Sequence, residues 1–555
     1  MIAKFLAFVG IFFLLPSTVS QAQTGSPRPN IIVILADDLR GDAFGVTGHP
    51  FSKTPNLDRI ANEGVFFQNA FVTHSLCSPS RATLLTGLYS HQHRVRDNET
   101  ALATQLPTVP KILQAQGYDT AYIGKWHMGH TEARPKPGFN RWVSFAGQGQ
   151  YLDPPINVDG QQLQASGHMT DILTDYALEF IGRDRAAPFF MILSHKAVHN
   201  PFTAQPQFQG LYANANITFP ATWGEDLSTK PAFLKNRLFT GALKPRIQQY
   251  YECLAGVEES MGKILAKLED KNLLDNTFVV FTSDNGFFLG EHNQGDKRLA
   301  YEESMRIPIF IRYPQWFAAG SRIAAMALLV DLAPTLLEAA NAPNTLNSPG
   351  LSLRKLARGE TPRSSFLYQY FFDKDVPATP SMRAIRTPDY KYITYGDASI
   401  TEELYDLKND PIEKNNLINQ PASSRVLQRL RFQLDSLRFA VKDTSAITSI
   451  EERRASVSRN FVLQQNYPNP FSSAARSRAA GNPTTTIQYK LPSAGHTRLE
   501  IFDVNGRLLA TLVNERQDPG FKTVQWNAAG YGNGLYFYRL TTRDFMQTRK
   551  MTVLK

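Results

Sequence analysis

"NIIVILADD", residues 30–38, is a short apolar run that ends in the carboxylates of Asp37 and Asp38. A second run, "FVVFTSDNG" at residues 278–286, has the same form and ends in Asp284 and Asn285. Apolar runs without alternation are typical of strands that are buried on both faces of a parallel sheet. Such runs alternate with amphipathic helical segments from about residue 28 to 440. The sequence therefore predicts an α/β layered domain.

The polar ends of these two strands form a candidate metal site. The carboxyl ends of parallel strands share one edge of the sheet, where ligand sites collect. Asp37, Asp38, Asp284 and Asn285 are thus predicted to lie together, and three carboxylates would repel one another unless a cation joined them. Ligation by oxygen alone favours a hard ion, calcium before magnesium. Either pair alone could instead cap a helix or form a turn, but the matched strand ends favour the metal site.

A third segment, "SLCSPSRATLLTG" at residues 75–87, contains one of only two cysteines in 555 residues. Pro79 suits the first turn of a helix, which places Cys77 at or just before the helix N-terminus, where the dipole favours negative charge. Arg81 follows four residues later and can contact the same ligand. A plain cysteine nucleophile is one interpretation, but it leaves the metal site unexplained.

The pattern Cys-x-Pro-x-Arg, with every position of residues 75–87, resembles the signature of the type I sulfatases of the alkaline phosphatase superfamily. In that family a separate maturing enzyme oxidises the cysteine to formylglycine. A second family signature is matched by "GYDTAYIGKWH" at residues 117–127. The segments "DKRLAYEES" (296–304) and "ELYDL" (403–407) follow in the usual order, so the resemblance covers roughly residues 28–420.

The resemblance implies a hydrolase of sulfate esters with an alkaline-phosphatase-like fold. That fold has a large mixed, mostly parallel central sheet in a catalytic domain, here residues 28–380, and a small antiparallel sheet in a C-terminal subdomain, residues 381–440. The nucleophile is the hydrated formylglycine made from Cys77. One hydroxyl attacks sulfur and expels the alcohol, and the other then expels sulfate and restores the aldehyde, which a serine could not do.

The resemblance also assigns roles to the other site residues. One calcium ion is held by the metal set, which comprises Asp37, Asp38, Asp284, Asn285 and the modified Cys77. Arg81 orients the nucleophile, and Lys125 and Lys297 bind sulfate. His127 is the base for the elimination, and it shares a face with Lys125 if their segment is extended.

One histidine is implied as the donor to the leaving oxygen. His199 is favoured for this role because its His-x-Pro pattern after a strand is similar to the family, although His195 lies on the same segment. His74 and His292 also stand near motifs, and both are interpreted as structural.

The loops "GQGQY" (147–151) and "GHMTD" (167–171) resemble stretches of bacterial sulfatases that act on sulfated carbohydrates, so a sulfated carbohydrate is the expected substrate. A phosphonate or phosphate ester hydrolase of the same superfamily is the nearest alternative. The calcium-type residue set and the Gly-Lys-Trp-His motif favour sulfate. A noncatalytic protein that binds sulfated glycans would have lost the nucleophile or the metal set, and neither is lost.

The N-terminus predicts export, because residues 1–22 combine Lys4, an apolar stretch and a small-x-small cleavage site. No later run approaches the roughly 18 apolar residues of a membrane helix, so no transmembrane segment is expected. The net charge of +10 comes from scattered residues. It indicates a generally basic surface or an anionic substrate, and no nucleic-acid partner. A Cys77–Cys253 disulfide is the only one available, but a helical apolar stripe around Cys253 favours a buried free thiol.

The C-terminal region differs in composition. Residues 441–460 are predicted to be a linker, and residues 461–555 a small β-sandwich. Segments such as "NYPNPF" (466–471) and "GLYFY" (534–538) resemble the C-terminal sorting domain of the type IX secretion system, although residues 472–481 interrupt the usual pattern. Export through the Sec and type IX machinery to the cell surface or medium is the expectation. A carbohydrate-binding module, with Trp526 and Tyr531 stacked on a sugar, is the alternative.

Overall fold

The computed structural model describes residues 28–129, 133–445, 461–472, 484–491, 494–543 and 545–554. The predicted signal peptide, residues 446–460 of the predicted linker and nearly all of the 472–481 interruption lie outside the described residues.

Most of the chain before residue 340 is built on one large mixed sheet, with strand order β10-β2-β9-β8-β1-β7-β3-β4-β5-β6. Its central pairs are parallel, as the sequence predicts, while β9, β5 and β6 run antiparallel to their neighbours. The strands are β1 Asn30–Ala36, β2 Val65–Phe71, β3 Asp119–Lys125, β4 Arg141–Phe145, β5 Pro155–Val158, β6 Gln161–Gln164, β7 Phe189–Ser194, β8 Thr277–Ser283, β9 Ile309–Arg312 and β10 Ser321–Leu328.

The two runs with polar ends are neighbouring strands. β1 and β8 pair in parallel with Ala36 opposite Ser283, so the polar residues that follow each strand meet at one edge. Both faces of β1 are covered, because Ile32 and Ile34 belong to one apolar core and Ile31 and Val33 to another. This double burial is the reason that the sequence shows no polar alternation there.

Helices cover both faces of the sheet. Helices α1, α5 and α6 contribute to one core, and α2, α4, α8 and α9 to the other. Among the described residues, no helix has both the length and the apolar character needed to cross a membrane. The helices are α1 Pro55–Asn62, α2 Cys77–Thr86, α3 Ser90–His93, α4 Val109–Ala115, α5 Met169–Gly182, α6 Leu243–Asp270, α7 Glu302–Met305, α8 Leu332–Ala339, α9 Leu353–Ala357 and α10 Ser424–Ala440.

A second, antiparallel sheet follows the main one. It consists of β11 Phe366–Tyr370, β12 Met382–Arg386, β13 Tyr390–Tyr395 and β14 Glu403–Asp406. It begins before the sequence-based boundary at residue 381, because β11 pairs with β12 along its whole length. The packed region also extends past residue 441 into the predicted linker, since the buried Asp443 accepts a hydrogen bond from Arg383 Nε at 2.8 Å.

The C-terminal region forms two small sheets around its own apolar core, as the strand pattern predicts. Trp526 is only 3% exposed, which overturns the idea that its ring stacks on a sugar. Phe432 of α10 packs on Phe502 of this region, with ring centroids 5.1 Å apart. The strands are β15 Val462–Leu463, β16 Phe471–Ser472, β17 Thr484–Leu491, β18 Gly495–Phe502, β19 Leu508–Gln517, β20 Gly520–Asn527, β21 Gly534–Thr541 and β22 Met546–Leu554.

Candidate active site

Cys77 is the first residue of α2 and lies fully buried over the carboxyl edge of the sheet. Its Sγ is 3.5 Å from Asp37 Oδ1, 3.2 Å from Lys297 Nζ and 3.9 Å from Lys125 Nζ. Burial raises the pKa of the Cys77 thiol to about 12, although the two lysines oppose this shift. An unmodified Cys77 is therefore a protonated thiol at neutral pH. Cys77 and Cys253 are both buried, and they are not joined by a disulfide bond.

The four polar side chains from the strand ends meet next to Cys77. The Asp38 backbone N–H donates to Asp284 Oδ1 at 3.0 Å, and Asn285 Nδ2 donates to Asp38 Oδ1 at 2.6 Å. Carboxylate oxygens of Asp37, Asp38 and Asp284 lie within 4.8 Å of one another. Burial raises the pKa of Asp38, and burial together with the Asp37 charge raises that of Asp284 to about 6. At Asp38 and Asp284, burial therefore outweighs the stabilising effect of the nearby cations on the charged carboxylates.

The same cluster fits a hard cation. Asp38 Oδ2 and Asn285 Oδ1 are buried and accept no hydrogen bond in the described part of the chain. Lys125 forms an ion pair with Asp37, and Lys297 forms one with Asp38. Burial would raise the pKa of Asp37, but Lys125, His199 and the other nearby cations hold it well below its usual range. Buried oxygens without hydrogen-bond partners, beside three carboxylates, form a donor set of the kind that calcium prefers.

Arg81 joins α2 to three strand ends. Its Nε and Nη2 donate to Asp284 Oδ2 at 2.9 and 2.8 Å, and its Nη1 donates to the Lys125 carbonyl and to Ser194 Oγ, both at 2.6 Å. The side chain is 1% exposed. Arg81 therefore fixes the position of α2, and hence of Cys77, relative to the metal set.

Lys125 and His127 both reach the site, but not as two residues of one strand. Lys125 ends β3, and its Nζ also donates to Gln148 Oε1 at 2.5 Å. His127 has a left-handed backbone, with φ of 59°, so the extended geometry that the sequence suggested does not hold. Its ring is nevertheless buried, and Nδ1 has no partner among the described residues. Burial and Lys125 lower the pKa of His127 well below its usual range.

The structure separates the two candidate histidines that follow β7. His199 Nδ1 lies 2.5 Å from the Asn200 carbonyl oxygen, and it is the donor of this hydrogen bond because a carbonyl can only accept. The other ring nitrogen, Nε2, faces the site and lies 3.7 Å from Asp38 Oδ2. His195 turns to the opposite side and lies 3.2 Å from Ser260 Oγ of α6.

The other two histidines are held in structural contacts. His74 Nδ1 is 2.9 Å from Ser90 Oγ, and His292 Nδ1 is 2.7 Å from a Glu225 carboxylate oxygen. Lys297, by contrast, belongs to the site. Burial would lower its pKa, but Asp38 and the other nearby anions raise it.

Three residues near the site received no role from the sequence. Gln148 lies in the "GQGQY" loop and contacts Lys125, and Ser194 accepts from Arg81. Lys196 is 2% exposed, and its ammonium lies 4.8 Å from the centre of the Tyr151 ring. Of these three, only Ser194 could have been predicted from the sequence, because it ends a third apolar run, β7, as polar residues follow the apolar runs of β1 and β8.

The comparison with known families agrees with this geometry. The family model described as "Sulfatase" matches residues 29–342, and the model described as "N-sulphoglucosamine sulphohydrolase, C-terminal" matches residues 290–440. The chain belongs to the sulfatase family. It is therefore a sulfuric ester hydrolase with the alkaline-phosphatase-like α/β fold of that family.

Individual sulfatases match most of the chain. N-acetylglucosamine-6-O-sulfatase of Bacteroides thetaiotaomicron is 33% identical over 506 residues, which cover 77% of this chain and 89% of that protein. Ulvan-active sulfatase of Formosa agariphila is 30% identical over 439 residues, covering 75% and 82%. A solved structure of a protein in complex with its substrate D-glucosamine-2-N,6-O-disulfate has a TM-score of 0.72 and 31% identity. That match covers 76% of this chain and all of the other.

Proposed function

We propose that this sulfatase is exported and hydrolyses sulfate esters of carbohydrates through a formylglycine made from Cys77. The observation that carries the mechanism is the position of Cys77, buried between two lysines and the metal set at the start of α2. A thiol with a pKa of about 12 is a poor nucleophile at neutral pH, which disfavours direct thiolate attack by an unmodified Cys77.

The carbohydrate substrate is supported by relatives. The Bacteroides relative is named for N-acetylglucosamine 6-O-sulfate, and the Formosa relative for ulvan. Asp37, Asp38, Asp284 and Asn285 would hold calcium, with the modified Cys77. When bound, the ion supplies positive charge to the sulfate oxygens, where negative charge develops.

Once converted and hydrated, the Cys77 side chain supplies one hydroxyl to attack sulfur and a second to expel the sulfate afterwards, which restores the aldehyde. Lys125 and Lys297 bind the sulfate oxygens. The attacking hydroxyl releases its proton to water. As the ester S–O bond breaks, the imidazolium form of His199, which is protonated at both Nδ1 and Nε2, gives its Nε2 proton to the alcohol oxygen, and water then reprotonates it. His127 takes the proton of the second hydroxyl when the sulfate leaves. Water then hydrates the aldehyde again, so the net reaction consumes one water and one sulfate ester.

Two further parts of the proposal concern partners. A formylglycine-generating enzyme is the proposed partner that acts on Cys77, because conversion of a thiol to an aldehyde is an oxidation and amino-acid side chains do not supply the oxidant. The N-terminal signal and the resemblance of residues 461–555 to a type IX sorting domain support export by the Sec and type IX machinery. The sequence predicts domains of residues 28–380, 381–440 and 461–555. We propose the same three domains, but with the boundary between the first two placed before β11, because β11 belongs to the sheet of the second domain.

The phosphonate or phosphate ester hydrolase is the alternative with the same site. Both esters present tetrahedral anionic groups to the two lysines, so the geometry accepts either. The relatives named above favour sulfate. A noncatalytic glycan-binding protein does not require the complete set of buried catalytic side chains that this structure brings together.

The test combines peptide mass spectrometry of natively produced protein with release of sulfate from a panel of sulfated mono- and oligosaccharides. The Cys77 peptide is expected to lose about 18 Da, because a thiol is replaced by an aldehyde. The peptide with the second buried thiol, Cys253, is the matched control and must stay unchanged. Activity with an unmodified Cys77 would overturn the formylglycine mechanism. Phosphate release without sulfate release would establish the alternative.

A further inference from the structure

Tyr151 connects the "GQGQY" loop to His199. Its ring is 4% exposed, and its hydroxyl donates to the His199 carbonyl at 2.7 Å. The His199 backbone N–H in turn donates to the Lys196 carbonyl at 3.0 Å. The His199 backbone is thus held from both sides, by a side chain of one loop and by its own turn.

The Tyr151 ring is itself fixed on two faces. His168, from the "GHMTD" segment, stacks on it with a centroid distance of 5.3 Å and an interplanar angle of 27°. The Lys196 ammonium lies over the ring at 4.8 Å. Tyr151 also accepts a backbone hydrogen bond from Met169 at 2.7 Å. Both loops that resemble carbohydrate-active sulfatases therefore converge on this one ring.

Lys196 is an unusual part of this assembly, since it is buried and forms no ion pair with the residues that the structure describes. No carboxylate of the described residues lies within ion-pair distance of its ammonium, and burial lowers its pKa to about 8. The Tyr151 ring stabilises the ammonium through a cation–π contact, and Asp37 and Asp38 act on it from a longer distance. The contact ties the Lys196–His199 turn to the Tyr151 loop a second time.

The same loop also reaches the sulfate side of the site. Gln148 Oε1 accepts from Lys125 Nζ at 2.5 Å, three residues before Tyr151. The loop therefore touches both a sulfate-binding residue and the leaving-group donor, through two different side chains. Loss of one contact is therefore expected to affect catalysis differently from loss of the other.

We propose that Tyr151, supported by Lys196, is a positioning residue that aligns His199 for proton transfer to the leaving sugar oxygen. The inference rests on the proposed role of His199. An alkoxide leaving group needs this proton, whereas a nitrophenolate leaves without it. A misplaced donor consequently slows the hydrolysis of sugar sulfates and spares activated aryl sulfates. A merely structural role of Tyr151 would reduce both activities together.

The test compares kcat/KM for two substrates, the sulfated monosaccharide that the wild type hydrolyses best and 4-nitrophenyl sulfate. Tyr151→Phe keeps the ring and its two stacking contacts and removes only the hydroxyl. The loss of one positioning hydrogen bond is expected to lower kcat/KM for the sugar sulfate about tenfold and to change the aryl value less than about twofold. Gln148→Ala is expected to lower both values, because sulfate binding is common to both substrates.

Two further variants complete the design. Tyr536→Phe is the matched control, because Tyr536 donates to the Gly532 carbonyl at 2.9 Å in the C-terminal region, and it should leave both values unchanged. Lys196→Met tests the same inference without touching the tyrosine, and a selective loss on the sugar sulfate is expected. Equal losses on both substrates, or no loss, in Tyr151→Phe and Lys196→Met would overturn the inference. A wild type that releases no sulfate from either substrate would instead overturn the proposed function.

Discussion

Removal of the proposed calcium ion is expected to destabilise this protein in a pH-dependent way. In the metal-free protein, burial and the Asp37 charge raise the pKa of Asp284 from 3.8 to about 6, and that of Asp38 is also raised. A carboxyl group with a raised pKa in the folded state favours folding only while it is protonated. Its stabilising effect is complete below the unfolded pKa and is lost as pH rises through the folded pKa. The metal-free fold should therefore weaken between about pH 4 and pH 7.

The size of this effect follows from the shift at Asp284. About two pKa units correspond to about 3 kcal/mol of unfolding free energy. A bound cation compensates the carboxylates and removes this cost, so calcium should stabilise the protein more at pH 7.5 than at pH 5. For a catalytic domain of this size, about 3 kcal/mol corresponds to roughly 5 °C in the midpoint of thermal unfolding.

The assay is thermal unfolding of dialysed, metal-free protein at both pH values, with and without calcium chloride. Asp284→Asn, which keeps the shape of the side chain, should respond little to calcium and should lose the part of the pH dependence that Asp284 contributes. Asp42→Asn is the control, because Asp42 pairs with Arg40 outside the metal set. It should keep the full calcium response. A calcium effect of equal size at both pH values, or none, would refute this reasoning.

Three other predictions concern catalysis and stability. Lys297→Met should fold and bind calcium but lower kcat/KM at least about 100-fold, since Lys297 Nζ lies 3.2 Å from Cys77 Sγ. A loss below tenfold in sulfate-release assays would contradict its role. Asp443→Asn should lower the free energy of unfolding by about 3 kcal/mol in denaturant titrations, because it removes the buried carboxylate charge that lies 2.8 Å from Arg383 Nε. An unchanged midpoint would contradict this. Trp526→Ala should destabilise the C-terminal region by about 3–5 kcal/mol without weakening retention on sulfated polysaccharide gels. Lost retention in a folded variant would restore the sugar-binding alternative.

The central sheet and much of the site could be predicted from local sequence. β1 and β8 were readable because strands buried on both faces need uninterrupted apolar runs. Their parallel pairing then required the residues after Ala36 and Ser283 to meet. The position of Cys77 at the start of α2 followed in the same way from Pro79 and the four-residue spacing to Arg81. These features depend on short-range periodicity and on one pairing rule.

Other features were decided only by tertiary structure. His195 and His199 are indistinguishable as residue types, and packing of the segment between the sheet and α6 turns one toward Ser260 and the other toward Asp38. The left-handed backbone of His127 likewise has no local signal. The contact from Tyr151 to the His199 carbonyl spans 48 residues. The sequence by itself determined which side chains reach the sheet edge, because strand and helix periods are local. Only the fold decided their orientation, because that depends on contacts between loops distant in the chain.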